Sequence, residues 1–334
     1  MKTKKLLEHI RFSAELAAAL EVSGWPKPGN VHRTIDHSDT RFEHFLAGSV
    51  ALGSSVEASA RKGLEVAKGR LDISRIGVGG LVRKAISDIS ESHKGGNTHL
   101  GICLMFVPLA ASASKTYVEN GEISLGDLRD NVSEVMWFST PQDAVAVYKA
   151  IALVSSPYEL GRFERGEAPD LYDKQAERKI LEAGISLFDV MKVASPYDTV
   201  ARELTNGMEI SFKIGYKELV ETFNRTGDIN VATVHTFLRI LSKVPDTFIA
   251  RKVGLRKESD VKKAVEIGRR ETMWVSEMAE HILNLGGLTT ERGNASLWEF
   301  DRKLQGLGED YSPGTTADLT ATALMIALLC GLKF

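Results

Sequence analysis

Hydrophobic residues recur every three or four positions along most of the chain, which is the spacing of amphipathic helices. Near the start, Leu6, Ile10, Ala14, Ala17 and Leu20 follow this spacing and predict a helix over residues 5–21. Segments rich in Val and Ile are short and do not alternate convincingly with polar residues, as strands would. The sequence therefore predicts an all-α fold, in a single multi-helix domain that spans residues 1–334.

The same spacing, together with capping signals, predicts about a dozen helices. A Thr40-x-x-Glu43 capping box and a Ser124-x-x-Asp127 pair indicate two of their starts. The helices after the first are predicted over residues 40–59, 100–113, 124–140, 143–155, 175–190, 196–205, 216–222, 231–244, 258–285 and 316–332. Three loops rich in Gly, Pro and charge interrupt this scaffold, at residues 24–39, 156–173 and 288–316.

Composition narrows the class of protein. The chain has 334 residues, of which 43% are hydrophobic and 26% charged, as is typical of a globular protein. Its net charge of −2 does not indicate the basic surface that nucleic-acid-binding proteins have. Cys103 and Cys330 lie in apolar runs, which fits core packing in a reducing compartment. The first ten residues lack an apolar signal segment, and the most apolar runs are short for a membrane span. We therefore expect a cytoplasmic protein with neither nucleic acid nor membrane as a partner.

The loop at residues 24–39 is the first candidate for chemistry. A rigid Pro-Lys-Pro-Gly turn presents the ammonium group of Lys27, and Gly29 lets backbone N–H groups approach an anion. Asp36 and Asp39 follow ahead of a helix, where carboxylates could bind Mg²⁺. The alternative is a structural turn followed by a helix cap.

Three histidines in this region, His32, His37 and His44, raise the question of zinc. Their spacing is not that of an i,i+4 pair on a helix, and no cysteine lies nearby. The pattern therefore disfavours a zinc site.

A second candidate is the turn that leads into the apolar helix predicted at residues 100–113. Gly95 and Gly96 precede Asn97, Thr98 and His99, and the N-terminus of a helix offers unpaired N–H groups to phosphate. An ordinary helix cap by Asn97 or Thr98 explains the same residues equally well.

Charged residues in two further segments could bind phosphate or act as acids and bases. Arg165 and Glu167 lie in the loop at residues 156–173, and such loops are often only solvated. Arg251 and Lys252 are adjacent cations that could neutralise a triphosphate or stabilise a helix end.

The last candidate opens the C-terminal apolar helix. Thr315, Thr316 and Asp318 follow a Pro-Gly turn, and two hydroxyl groups with a carboxylate could hold Mg²⁺ and phosphate. Thr315-x-x-Asp318 also fits a capping box, so both interpretations stay open.

Taken in order, these segments resemble the triphosphoribosyl-dephospho-CoA synthase family, that is, the ATP:dephospho-CoA triphosphoribosyltransferases. The resemblance covers nearly the whole chain. The motifs that carry it are Pro26-Lys27-Pro28-Gly29, His37-x-Asp39, Asn97-Thr98-His99-x-Gly101, Arg165-Gly166-Glu167-Ala168, Asp246-Thr247 and Pro313-Gly314-x-x-Ala317-Asp318-Leu319.

The resemblance implies a Mg²⁺-dependent pentosyltransferase with its active site in loops at one end of the helical bundle. ATP would donate a triphosphoribosyl group to 3′-dephospho-CoA or a related acceptor, and adenine would leave. The implied catalytic residues are His37, Asp39 and Glu167, and the implied metal ligands are Asp36, Asp39 and Asp318. The implied nucleotide- and phosphate-binding residues are Lys27, Gly29, Asn97, Thr98, His99, Arg165, Arg251, Lys252, Thr315 and Thr316. Independently of the resemblance, a homodimer is the default expectation, because dimers are the commonest soluble homo-oligomers.

Two departures from the family pattern bear on the acceptor. Asn30-Val31-His32 stands where the citrate-lyase branch usually has Leu-Val-Asp, and Gly314-Thr315-Thr316 stands where that branch has Gly-Gly-Ser. The chain looks closer to a side branch found in archaea and methylotrophs. Three alternatives therefore stay open: a nucleotide N-glycosidase, an enzyme of pterin-linked C1 coenzyme biosynthesis with another acceptor, and a non-enzymatic helical nucleotide-binding protein.

Overall fold

The computed structural model describes residues 3–156, 160–161 and 168–334. Within these residues the chain forms helices and no strand, apart from an isolated bridge between His32 and Ile35. The all-α prediction is confirmed. The α-helices are α1 (Thr3–Ser23), α2 (Phe42–Ala51), α3 (Gly53–Ala67), α4 (Val78–Ser92), α5 (Leu100–Asn120), α6 (Leu125–Trp137), α7 (Pro141–Val154), α8 (Ala176–Ala183), α9 (Leu187–Ala194), α10 (Thr199–Thr205), α11 (Tyr216–Thr226), α12 (Ile229–Lys243), α13 (Thr247–Leu255), α14 (Val261–Asn284), α15 (Glu291–Leu307) and α16 (Gly314–Leu329).

Helices α5 and α16 form the centre of the core, and their apolar residues point in all directions because other helices surround them. Helix α5 is long and apolar enough to cross a membrane, but most of it is buried among its neighbours. Its predicted end at Ala113 was wrong. The hydroxyl groups of Ser112 and Thr116 bond to backbone carbonyls one turn earlier, and the ammonium group of Lys115 binds Asn131, so the helix tolerates these polar residues.

Two predicted helices are each divided in the structure, and other helices were not predicted. The helix predicted at residues 40–59 is two helices separated at Leu52, and its N-cap is Arg41 rather than Thr40. The helix predicted at residues 175–190 is interrupted at Gly184, whose φ of +65° ends α8. Helices α4 and α13 were not predicted at all.

The loop predicted at residues 288–316 contains helix α15, so this prediction was wrong over most of its length. The Thr290 hydroxyl caps the helix by accepting a hydrogen bond from the Gly293 N–H at 3.0 Å. Leu297, Phe300 and Leu304 bury one face of it. Frequent Gly and charged residues around these three positions hid the helical spacing.

One buried carboxylate ties together two helix starts near the candidate site. Asp246 Oδ1 accepts hydrogen bonds from the N–H groups of Phe248 and Ile249 and so caps α13. Its Oδ2 accepts hydrogen bonds from the N–H and the hydroxyl group of Thr316, at 2.7 and 2.8 Å, in the first turn of α16. The start of α16 is therefore bound by Asp246, the N-cap residue of α13, and not by the predicted capping box between Thr315 and Asp318.

Candidate functional site

A cavity of about 390 Å³ lies where the end of α1, the loop after it and the starts of α5, α13 and α16 converge. This volume is in the range of small-molecule sites. Polar side chains line much of the cavity wall: Glu21, Asn30, His37, Asp39, Asn97, Thr98, Asp198, Arg251, Lys252, Glu309, Thr315 and Asp318. A concave site with convergent polar groups is where ligand binding is expected.

Asp318, in the first turns of α16, lies against the start of α5. A Cβ atom built on Gly101 would be 2.1 Å from Asp318 Oδ2, so only glycine leaves room for this carboxyl group. Burial raises the pKa of Asp318 well above its ordinary value, and the nearby Glu21 carboxylate raises it further. A hydrogen bond from the Ile102 backbone opposes this rise in pKa. The site thus holds a carboxyl group whose charge lacks a full set of partners.

Glu21 lines the same cavity from the end of α1, and a buried lysine holds it. The Lys27 ammonium group forms an ion pair with the Glu21 carboxylate and donates to the Glu21 carbonyl oxygen at 3.0 Å. Lys27 is only 1% exposed and does not line the cavity. Burial lowers the pKa of Lys27, whereas Glu21 and Asp318 raise it. Lys27 therefore positions Glu21, and the structure does not present it as a free phosphate-binding cation.

His37 lines the cavity and is fixed by the loop that contains Gly29. His37 Nε2 lies 3.3 Å from the Gly29 carbonyl oxygen, and a carbonyl can only accept, so Nε2 carries the hydrogen. The Gly29 N–H donates to Asp301 at 3.0 Å, and the φ of Gly29 is +73°. Burial lowers the pKa of His37, while the Glu309 carboxylate raises it. Nδ1 remains the proton acceptor of this ring.

The two aspartates of this loop have different surroundings. Asp39 lines the cavity, and a Cβ atom on Gly96 would be 2.3 Å from its Oδ2. Both aspartates are exposed, but Asp36 lies outside the cavity wall and accepts a hydrogen bond from the Phe42 N–H at 2.9 Å. Asp36 thus helps to start α2, and its geometry favours this structural role over metal binding.

The turn before α5 contributes two cavity residues and one buried histidine. Asn97 Oδ1 accepts a hydrogen bond from the Leu100 N–H at 3.2 Å. His99 Nδ1 lies 2.7 Å from the Thr98 hydroxyl oxygen, and His99 is not part of the cavity wall. Burial lowers the pKa of His99 to about 3, so its ring is neutral at pH 7. His99 therefore supports Thr98 from behind.

The two predicted cations lie around one aromatic ring. Arg251 and Lys252 lie 5.4 and 4.6 Å from the centroid of Phe248, and all three residues line the cavity. Arg251 Nη1 is 3.3 Å from Asp198 Oδ2, while its buried Nε has no hydrogen-bond partner among the described residues. An unpaired buried donor is costly, so a bound anion would satisfy it.

Thr315 and Thr316 point in different directions. The Thr315 hydroxyl lies 3.3 Å from the Thr247 hydroxyl and at the cavity wall. Thr316 is 2% exposed, binds Asp246 and does not line the cavity. Thr316 therefore holds α13 against α16.

The structure thus divides the predicted site residues into three groups. Those that line the cavity are His37, Asp39, Asn97, Thr98, Arg251, Lys252, Thr315 and Asp318. Those whose positions lie outside the cavity wall are Lys27, Gly29, Asp36, His99 and Thr316. Arg165 and Glu167 lie outside the described residues.

Four carboxylates of the cavity wall are not among the predicted site residues: Glu21, Asp170, Asp198 and Glu309. Glu21 falls four residues after Ala17 on the buried face of α1, and a charge on an apolar face is a usable signal. Asp198 caps α10 through a hydrogen bond from the Ala201 N–H. Glu309 lies in the loop just before α16 and accepts from the Ser38 N–H at 2.6 Å. Only tertiary structure brings the last two to the site.

Comparisons with known proteins give the following matches. The model of the family described as ATP:dephospho-CoA triphosphoribosyl transferase matches residues 7–333. A crystal structure described as that of a triphosphoribosyl-dephospho-CoA synthase from Archaeoglobus fulgidus is similar, with 26% sequence identity and a TM-score of 0.55. The alignment covers 84% of this chain and 99% of that chain. A search of curated proteins gave no match.

Proposed function

The chain belongs to the ATP:dephospho-CoA triphosphoribosyl transferase family and is a transferase, and from this premise we propose the reaction that its cavity supports. ATP donates its triphosphoribosyl group to the 2′-hydroxyl of 3′-dephospho-CoA, and adenine is released. The observation that carries this proposal is the pair of carboxyl groups, Glu21 and Asp318, that meet at the start of α5 in the cavity.

Glycosyl transfer develops positive charge at the ribose carbon C1′, and a nearby carboxylate stabilises that charge. Glu21 suits this role because the ion pair with Lys27 fixes it at the cavity wall. The bond from C1′ to N9 of adenine breaks, and a bond from C1′ to the acceptor 2′-oxygen forms. The hydroxyl gives up one proton and adenine takes up one, so the reaction balances.

The proton of the attacking hydroxyl needs an acceptor, and His37 is our candidate for the general base. Its Nδ1 is the unprotonated ring nitrogen because Nε2 donates to the Gly29 carbonyl. Burial lowers the pKa of His37, which keeps the ring neutral near pH 7. Asp39 and Glu309 lie on the same side and would stabilise the protonated ring.

The triphosphate is the most charged part of the donor and needs cations and N–H groups. The N-terminus of α5 supplies N–H groups and a partial positive charge beside Asn97 and Thr98. Arg251 and Lys252 supply two positive charges on the opposite element, α13. These residues are the proposed phosphate contacts.

Magnesium fits the polar side of the cavity only as a partner of bound phosphate. The described residues contain no group of three or more His, Cys, Asp or Glu side chains that could hold a metal ion alone. Mg²⁺ in proteins often uses one or two carboxylates plus substrate phosphates. Asp318, with Glu21 beside it, offers such carboxylates, and the ion would neutralise phosphate charge.

The reaction is tested by the mass of its product. Purified protein is incubated with ATP and Mg²⁺, with and without 3′-dephospho-CoA, and with EDTA as a control. We expect an adduct of dephospho-CoA and ribose triphosphate, formed only when the acceptor and Mg²⁺ are present. Free ribose triphosphate without an acceptor would identify a hydrolase instead, and the absence of any product from ATP would refute the proposal.

A further inference from the structure

One side of the cavity is apolar and is built from helices that contribute little to the polar side. Tyr148 and Ile151 come from α7, Val190, Met191 and Ala194 from α9, and Val200 from α10. We call these six residues the apolar annex. Helices α7 and α9 pack on each other, and α10 packs on α5, so the annex is part of the rigid scaffold.

Polar residues also line the cavity near Tyr148, namely Ser155, Asp170, Tyr172 and Tyr197. Asp170 Oδ1 accepts a hydrogen bond from the Tyr172 N–H at 2.8 Å. The Tyr148 hydroxyl, the main polar group of the annex, donates to the Pro169 carbonyl oxygen at 2.8 Å. Burial raises the pKa of Tyr148 to about 12, so this hydroxyl stays protonated. The neighbouring Tyr172 hydroxyl also donates to a backbone carbonyl, that of Ser155 at 3.2 Å. The six annex side chains themselves are mostly hydrocarbon, which favours an uncharged ligand segment.

The ion pair between Asp198 and Arg251 marks the boundary between the annex and the polar side. Asp198 lies two residues before Val200, and Arg251 belongs to α13 on the polar side. Arg251 also carries the buried Nε for which the described part of the chain provides no hydrogen-bond partner. This ion pair therefore links the charged part of the cavity wall to the annex.

We propose that the annex binds the pantetheine arm of the acceptor, an assignment that rests on the proposed function. In dephospho-CoA the reacting ribose, the pyrophosphate and the uncharged pantetheine arm follow one another along the molecule. The six annex side chains carry no charge, so the annex suits the uncharged arm rather than the pyrophosphate. The triphosphate of the donor carries too much charge for the annex, since burying an unpaired charge is very costly.

Two substitutions in the annex test this assignment. Ala194→Phe fills the annex from α9, and Ile151→Asn makes it polar without adding bulk. Lys192→Phe is the matched control, because Lys192 is an exposed residue of α9 outside the cavity wall. For each variant we would measure the KM for ATP, the KM for dephospho-CoA, and the binding of 4′-phosphopantetheine by calorimetry. Retained stabilisation by Mg-ATP shows that a variant is folded.

We expect both annex variants to raise the KM for dephospho-CoA roughly tenfold, a loss of about 1.4 kcal/mol, with the KM for ATP unchanged. They should also weaken 4′-phosphopantetheine binding, and Lys192→Phe should do neither. An unchanged KM for dephospho-CoA in Ala194→Phe, or an equal rise for ATP, would overturn the assignment. If wild type makes no product with dephospho-CoA, the proposed function fails, and undetectable 4′-phosphopantetheine binding would then also overturn the annex assignment.

Discussion

Burial and the neighbouring Glu21 carboxylate both raise the pKa of Asp318. A carboxyl group whose pKa is higher in the folded state than in the unfolded chain binds protons more tightly when the protein is folded. The free energy of unfolding therefore falls as pH rises from about 3.9, the ordinary Asp value, through the folded pKa. Sites that bind charged ligands often keep such destabilising groups.

Ionisation of the Asp318 carboxyl group lowers the free energy of unfolding, and this gives a prediction for Asp318→Asn. Asn does not titrate, so the ligand-free variant should be more stable than wild type by about 1 kcal/mol, or roughly 2 °C in Tm, near pH 8. The difference should shrink toward pH 4, where the wild-type carboxyl is protonated. Thermal melts across this pH range measure it. Asp36→Asn, at an exposed carboxylate outside the cavity, is the control, and a destabilised Asp318→Asn at pH 8 would contradict the account.

At the residue scale, the sequence predicted which residues lie near the site better than it predicted where their side chains point. His37, Asp39 and Asp318 were chosen as candidates, and all three line the cavity. Lys27 and Thr316 were chosen for the same kinds of reason, but their polar groups bind buried carboxylates of Glu21 and Asp246. Whether a polar side chain meets a ligand or a buried partner depends on tertiary contacts, which local sequence does not contain.

Among the elements, the start of α5 leaves no room for the methyl group that an alanine would add at Gly101. Gly101 is the second residue of α5, and a Cβ atom there would lie 2.1 Å from Asp318 Oδ2. Gly126 is the second residue of α6, and a Cβ atom there would meet nothing within 4 Å. The two positions are therefore a matched pair.

We predict that Gly101→Ala displaces the Asp318 carboxyl group and lowers kcat/KM at least roughly tenfold, a change of about 1.4 kcal/mol. Gly126→Ala should leave kcat/KM unchanged and stability within about 0.5 kcal/mol. Steady-state adenine release and thermal melts measure both effects. Equal kcat/KM values for the two variants would show that the Asp318 position does not matter for turnover.

Helix prediction worked where capping and apolar spacing agreed. Ser124 caps α6 as predicted, and its hydroxyl accepts from the Asp127 N–H. The prediction failed for α15 because Gly, Asn and charged residues surround Leu297, Phe300 and Leu304. The break at Leu52 between α2 and α3 stands directly before Gly53, a local signal that the prediction did not use.

For the whole molecule, the sequence predicted the all-α class and the family, and the family model confirms the latter. It did not predict that the end of α1 meets the start of α16. That contact brings Glu21 to Asp318 and depends on α1 and α16 packing side by side in the core. The apolar annex likewise exists only because α7, α9 and α10 converge on the same cavity.

The central claim is that this cavity transfers the triphosphoribosyl group of ATP to dephospho-CoA with the help of Asp318. The most direct measurement is the rate of adenine release from Mg-ATP with 3′-dephospho-CoA, for wild type, Asp318→Asn and Asp36→Asn at equal protein concentration. We predict that wild type and Asp36→Asn release adenine at similar rates and that Asp318→Asn is slower by roughly 100-fold or more. Wild-type rates in Asp318→Asn would contradict the account.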